Sequence, residues 1–163
     1  MNSRKSRTRQ DSITELLHNR WTVRAMLFIL LLLGLAGTGV ELLLLGHDED
    51  LLQLVPLVLI AVGLVVVIWH MVAQSRSSLR VMRGTMVLFI AGGILGILLH
   101  YRGSAEFQKE IDPSIAGMAL FTKAIRSKAP PALAPSAMAW FGLLGLAWAS
   151  ASSKGPRGGT GQM

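Results

Sequence analysis

The stretch AMLFILLLLGLAGTGVELLLLG, Ala25 to Gly46, holds one ionisable residue, Glu41, in 22 positions. At about 1.5 Å of rise per residue, a helix of that length reaches about 33 Å, enough to cross the hydrocarbon core of a bilayer. Lipid offers backbone groups no hydrogen-bond partner, so a crossing segment must close its own bonds as a helix. Three more apolar runs follow. Leu51–Ala73 has Gln53 and His70 as its strongly polar members, Gly84–Tyr101 is shorter and glycine-rich, and Pro131–Ser150 carries no charge. The reading is an all-α membrane protein: a four-transmembrane-helix bundle with spans at about 25–46, 51–73, 84–101 and 131–150.

The composition of the whole chain agrees. Of its 163 residues 52% are apolar and 15% charged, against about 25% charged in soluble domains. There is no cysteine, which excludes disulfides, thiolate metal sites and iron–sulfur clusters. Three parts are expected: a basic tail at 1–24 with a short amphipathic helix, a membrane domain at 25–151, and a flexible tail at 152–163. The first run is longer than the ~7–15 apolar residues of a cleavable signal peptide, so it is expected to stay.

The net charge of +7 is confined to the segments between the runs. Arg4, Lys5, Arg7, Arg9, Arg20 and Arg24 precede the first run, Arg76, Arg80 and Arg83 follow the second, and Lys154 and Arg157 follow the fourth. The first connection, His47-Asp48-Glu49-Asp50, has three acids and no basic residue. The positive-inside rule therefore puts both termini in the cytoplasm. Arg102, Lys109, Lys123, Arg126 and Lys128 vote the other way, but an even span count with basic ends has no better solution. Trp21, Trp69, Tyr101 and Trp148 fall near run ends, where amphipathic rings prefer the headgroup layer.

Ser12-Ile13-Thr14-Glu15 has capping-box spacing, which predicts a short helix beginning at Ser12. Ile13, Leu16, Leu17 and Trp21 would lay its apolar face on the membrane, with the upstream basic residues on anionic headgroups. The expected partners are thus the lipid bilayer and its anionic headgroups, with a homo-oligomer or membrane-complex partner besides, and no nucleic acid. The outer loop, 102–130, is expected to fold on the membrane surface. Asp112-Pro113 there reads as a helix start, and Ile115, Met118, Phe121 and Ile125 recur at helical spacing, predicting an interfacial amphipathic helix between spans 3 and 4.

Small residues at Gly34, Thr38, Thr85, Gly92 and Gly96 read as close helix packing. Gly92 and Gly96 face either the bundle or another protomer. Glu41 is harder to explain as packing, because a carboxylate near the bilayer centre costs about 2.5–3.5 kcal/mol. Gln53 and His100 lie at similar depth on the outer side, so Glu41, Gln53 and His100 form the candidate binding site. Imidazoles beside carboxylates bind Zn²⁺ or Cu²⁺, but no close ligand spacing is present, and no metal is expected. Haem would need paired histidines; His47 and His100 share a side, whereas His70 lies at the opposite end, and no cofactor is expected. Pro56 and Pro135 lie inside runs and free backbone carbonyls on the outer side.

His100-Tyr101-Arg102-Gly103, then Glu106-Phe107, then Pro131-Ala132-Leu133-Ala134-Pro135, resembles a pattern of small four-span bacterial inner-membrane proteins without an assigned activity. The resemblance implies the same fold and a bacterial inner-membrane location, and it covers about the last 65 residues. Small multidrug transporters are similar in architecture alone: four spans and a first-helix glutamate. No Ser-His-Asp order, Walker loop, HExxH or dinucleotide glycine pattern occurs, so no enzyme is expected. The expected role is a non-enzymatic accessory or small-ligand-binding membrane protein. The alternative is a proton- or cation-coupled small transporter using Glu41.

Overall fold

A computed structural model describes residues 2–46, 51–126 and 133–152, with side chains described from Thr22 to Gly46, Leu51 to Arg126 and Pro135 to Ala151. Five helices account for nearly all of it: α1 (Asn2–Leu44), α2 (Leu51–Ala73), α3 (Arg76–Ile111), α4 (Gly117–Ile125) and α5 (Leu133–Ser152). No strand occurs among the described residues. Thr22–Leu44, Leu51–Ala73 and Arg76–Ile111 are each long and apolar enough to cross a membrane. The Val65-Val66-Val67-Ile68 run, which by propensity suits a strand, is helical in the middle of α2. In lipid, closing every backbone bond within the segment outweighs that preference.

The long helices pack in a cycle: α1 on α2, α2 on α3, α3 on α5 and α5 on α1. Every neighbouring pair is antiparallel. Gly39 meets Ile60 while Leu35 meets Gly63. Gly34 meets Phe141 while Arg24 and Phe28 meet Trp148. Gly96 and Gly93 meet Pro135 and Ala139, whereas Met86 meets Gly142 and Gly145. Only the two residues Gln74 and Ser75 separate α2 from α3. Gln74 adopts the left-handed conformation at φ 44° and donates its N–H to the His70 carbonyl. Ser75 then caps α3.

Glycines set the helix spacing. A methyl group on Gly142 would stand 2.5 Å from the Met86 carbonyl oxygen and 2.6 Å from Ile90. On Gly93 it would stand 2.7 Å from the Ala139 nitrogen, and on Gly96 2.9 Å from Pro135. Gly63 receives the Phe89 ring in the same way between α2 and α3. Gly92 faces Leu59 of α2. Gly92 and Gly96 thus serve contacts within the chain, and a second protomer is not needed to explain them. Leu31, Leu35, Val67, Met82, Met86, Phe89 and Trp148 fill the centre.

Several local expectations are corrected. The backbone is already helical at Asn2 and continues unbroken to Leu44, so no separate helix starts at Ser12. α3 likewise starts at Arg76 and passes Tyr101 to end at Ile111, so Arg76, Arg80 and Arg83 lie on its first turns rather than in a loop. Trp148 is 2% exposed and packs inward instead of anchoring at the headgroups. Asp112 closes α3 instead of opening α4: its N–H bonds the Gln108 carbonyl, and α4 starts at Gly117. α4 folds back along α3, with the Phe121 and Tyr101 ring centroids 5.9 Å apart, about 15 Å below the tip at Ile111. Its Met118, Phe121 and Ile125 remain exposed. The first connection 47–50, residues 127–132 and the tail from 153 lie outside the described residues.

Two predictions follow from packing and turn geometry. Gly142→Ala should destabilise the protein by about 1–3 kcal/mol through overpacking. Gly84→Ala, which meets open space on an exposed helix face, should stabilise it by up to about 1 kcal/mol; thermal melts in detergent compare the two. The Asp112 carboxylate accepts hydrogen bonds from Ser114 Oγ (2.6 Å) and N–H (3.1 Å). Those bonds hold its pKa below the ordinary 3.8. A depressed carboxyl pKa means the turn is supported above the ordinary value and loses that support as pH falls through the lowered one. The Ser114 amide resonance should therefore titrate with a midpoint under 3.8, and Ser114→Ala should shift the Asp112 midpoint upward.

Candidate functional site

Glu41, Gln53 and His100 are not joined by any hydrogen bond or ion pair among the described residues. Glu41 is exposed on α1, and His100 is exposed on α3, the helix diagonal to it in the cycle. Gln53 is half-buried, and its amide oxygen is buried without a partner among the described residues. His47, the other candidate for a paired histidine, lies outside the described residues. Among the described residues no three His, Cys, Asp or Glu side chains are grouped closely enough to hold a metal.

The polar interior lies at the other end. His70, in the last turn of α2, is 3% exposed. Its Nδ1 is 2.9 Å from Ser78 Oγ, and Ser78 is fully buried. The two-residue turn brings them together: α3 doubles back on α2, and Ser75 and Ser78 form a reciprocal capping box at its start. The Ser78 N–H donates to Ser75 Oγ at 3.0 Å, and the Ser75 N–H donates to Ser78 Oγ at 3.1 Å. A serine in place of the usual glutamate leaves the cap uncharged.

The Ser78 hydroxyl has one proton, and the acceptors in reach include the Ser75 carbonyl at 3.0 Å and His70 Nδ1 at 2.9 Å, while the Ser75 hydroxyl at 3.2 Å donates to it. If the carbonyl takes the proton, Nδ1 carries hydrogen and Nε2 presents a lone pair; if Nδ1 takes it, Nε2 carries hydrogen. In both tautomers Nε2 is buried without a partner among the described residues, a state that costs about 1–3 kcal/mol. A serine hydrogen-bonded to a histidine also invites comparison with a nucleophile and its base. Here the hydroxyl is fully buried and engaged in the helix cap, and among the described residues no carboxylate is hydrogen-bonded to the imidazole.

Trp148 of α5 meets the imidazole edge to face, centroids 5.4 Å apart at 82°. Phe28 of α1 lies 5.3 Å from Trp148 on a tilted plane. The Arg24 guanidinium sits 5.9 Å from the Trp148 centroid, within range of a cation–π attraction. Arg24, Trp148, His70 and Ser78 thus link α1, α5, α2 and α3 in one continuous cluster. Each of the four long helices contributes one member.

The sequence held part of this. A histidine five residues before a serine pair spaced for a cap, in Gln74-Ser75-Arg76-Ser77-Ser78, marks a helix turn that can aim the two side chains together. Trp148, 78 residues beyond His70, carries no such local signal. The features define an all-helical protein with helices long and apolar enough to cross a membrane, carrying a buried polar cluster at its basic end. No protein-family model, curated protein or solved structure matches the chain.

Ser78→Ala should destabilise the protein by about 1–3 kcal/mol, because it strips His70 of its bond and removes half of the cap. His70→Phe should be neutral or stabilising, since it removes the orphaned nitrogen and keeps the ring. Detergent melts that order the two variants the other way would show that the imidazole is kept for stability.

Proposed function

We propose that the chain is a four-span integral protein of the bacterial inner membrane, a four-helix bundle with both termini cytoplasmic. It serves as a non-enzymatic accessory or small-ligand-binding subunit. One observation carries the membrane reading: the outward surface is apolar and the polar cluster faces inward. Leu33, Val65, Val72, Leu88 and Trp140 are all largely exposed on the outsides of their helices. Water would penalise such a surface, whereas lipid accepts it.

α5 supports the fourth span. It has 20 residues without a charge, about 30 Å of helix, and it runs antiparallel to α1 and α3 in close contact with both. A helix that follows α1 and α3 along their apolar lengths shares their solvent. Its end at Trp148 lies beside Arg24, which favours one side of the membrane for both termini. The basic residues at that end favour the cytoplasm. The accessory reading rests on the exposed position of Glu41, where a carrier carboxylate would need alternating shelter.

The cysteine-free chain makes the topology directly measurable. Single Ser3→Cys, Ser114→Cys and Ser152→Cys variants, expressed in a bacterial host, are labelled in intact cells with a membrane-impermeant maleimide. Only Ser114→Cys should react before lysis, and all three afterwards. Labelling of Ser152→Cys in intact cells would leave α5 out of the membrane count and overturn the four-span reading.

A further inference from the structure

We propose that the outer tip of α3 is a docking seam for an amphipathic helix of a partner protein, one that brings a basic edge. The inference names the partner of the accessory reading and rests on it. Inside the bundle α3 packs through Met86, Phe89, Gly93 and Gly96, which meet Gly142 and Gly145, Gly63, Ala139 and Pro135 in turn. Steps of three and four residues put these on one face. The same alternation runs on through His100, Gly103 and Phe107, with Ile111 one turn further.

The helices that cover this face stop short of its end. Leu59 meets Gly92 and Gly63 meets Phe89, so the antiparallel register sets Leu51, where α2 opens, level with His100. Gly96 meets Pro135, which sets Leu133, where α5 opens, level with Leu98. From His100 to Ile111 α3 rises a further ~16 Å. α4 packs to one side of the seam, where Phe121 meets Tyr101 and where Ser104 and Gln108 are half-buried. Phe107 stays 59% exposed and Ile111 63%. Arg102, Glu106, Lys109 and Glu110 interleave with them, so the two apolar side chains stand beyond the hydrocarbon, where lipid does not shelter them.

Gly103 sharpens the reading. It stands seven residues after Gly96 on the same face, yet nothing lies within 4 Å of the place its Cβ would take. Glycine weakens a helix interior, and at Gly93 and Gly96 it admits atoms of the neighbouring helix in return. An open gap of that kind, one turn before Phe107, fits a knob from a further helix. Continuity with the α3–α5 interface makes the occupant helical. Glu106 and Glu110, both exposed, border Phe107 on one edge, whereas Arg102 and Lys109 lie on the opposite side of α3. The matching edge of the occupant is therefore basic. The seam looks over the outer end of its own bundle, so a second copy standing alongside in the membrane does not meet it.

The full chain is expressed in its source cells with the photocrosslinker p-benzoylphenylalanine in place of Phe107 or Ile111, of Lys109 on the opposite side, or of Leu33 on the outside of α1. Irradiation should join Phe107 and Ile111, but not Lys109, to one other protein. Tandem mass spectrometry should place the crosslink in a segment with apolar residues at three- and four-residue steps and Lys or Arg beside them. A synthetic peptide of that segment should bind the purified wild-type chain. Gly103→Leu, which fills the gap and should melt no lower than wild type, should weaken that binding about tenfold, and Glu106→Gln/Glu110→Gln should weaken it and flatten its salt dependence. Arg102→Gln/Lys109→Gln should bind like wild type. Adducts with lipid or with a second copy alone, equal adducts from Lys109, or peptide binding unchanged in Gly103→Leu overturn the proposal. A protein adduct from Leu33 with none from the tip overturns the seam and leaves the accessory role standing; protein adducts from no position count against both.

Discussion

Close backbone approach at glycine is the constraint on which the rest of this structure depends. In lipid, apolar side chains gain little by meeting one another, because the tails they leave are equally apolar. Helices then associate through dispersion contacts that need short distances, and a missing Cβ supplies them. Each of the four helix interfaces here has a glycine at its contact: Gly39 between α1 and α2, Gly63 between α2 and α3, Gly93, Gly96, Gly142 and Gly145 between α3 and α5, and Gly34 between α5 and α1. The rings of Phe89 and Phe141 occupy two of those gaps. The His70 cluster requires the same closeness, since its members come from four helices and meet within single-contact distances.

The helices were legible because apolar length and backbone bonding demand them. Local propensity would have misread Val65–Ile68, yet the length of the run corrected for it. Helix ends were less legible, and for a definite reason. Charge marks where a chain leaves lipid, but a helix has no reason to stop there. α1 extends back to Asn2 through the basic tail, and α3 extends on to Ile111 through Arg102 and Lys109. Asp112-Pro113 reads in the sequence as a helix start. The Ser114 hydrogen bonds and the Gln108 carbonyl assign it to the end of α3.

The site was less legible than the fold. Reasoning from cost pointed to Glu41, since a charge inside an apolar run demands an explanation. Its position near the end of α1 gives one: the carboxylate is exposed there. His70 attracted less attention because a neutral imidazole near a helix end is cheap. Its burial depends on Trp148, and no feature of the sequence around residue 70 announces a tryptophan from the last helix. Long-range complementarity of this kind is where single-sequence reasoning runs out.

The order of synthesis gives the cluster another significance. The short Gln74–Ser75 turn obliges α2 and α3 to form as a hairpin, so His70 and Ser78 meet early. Trp148 emerges about 70 residues later, roughly 4–14 s at ordinary elongation rates of about 5–20 residues per second. Until then the imidazole lacks its aromatic cover and Arg24 its ring. The cluster is therefore closed only once α5 has been made, and a product truncated before Trp148 leaves the His70–Ser78 pair without its aromatic cover.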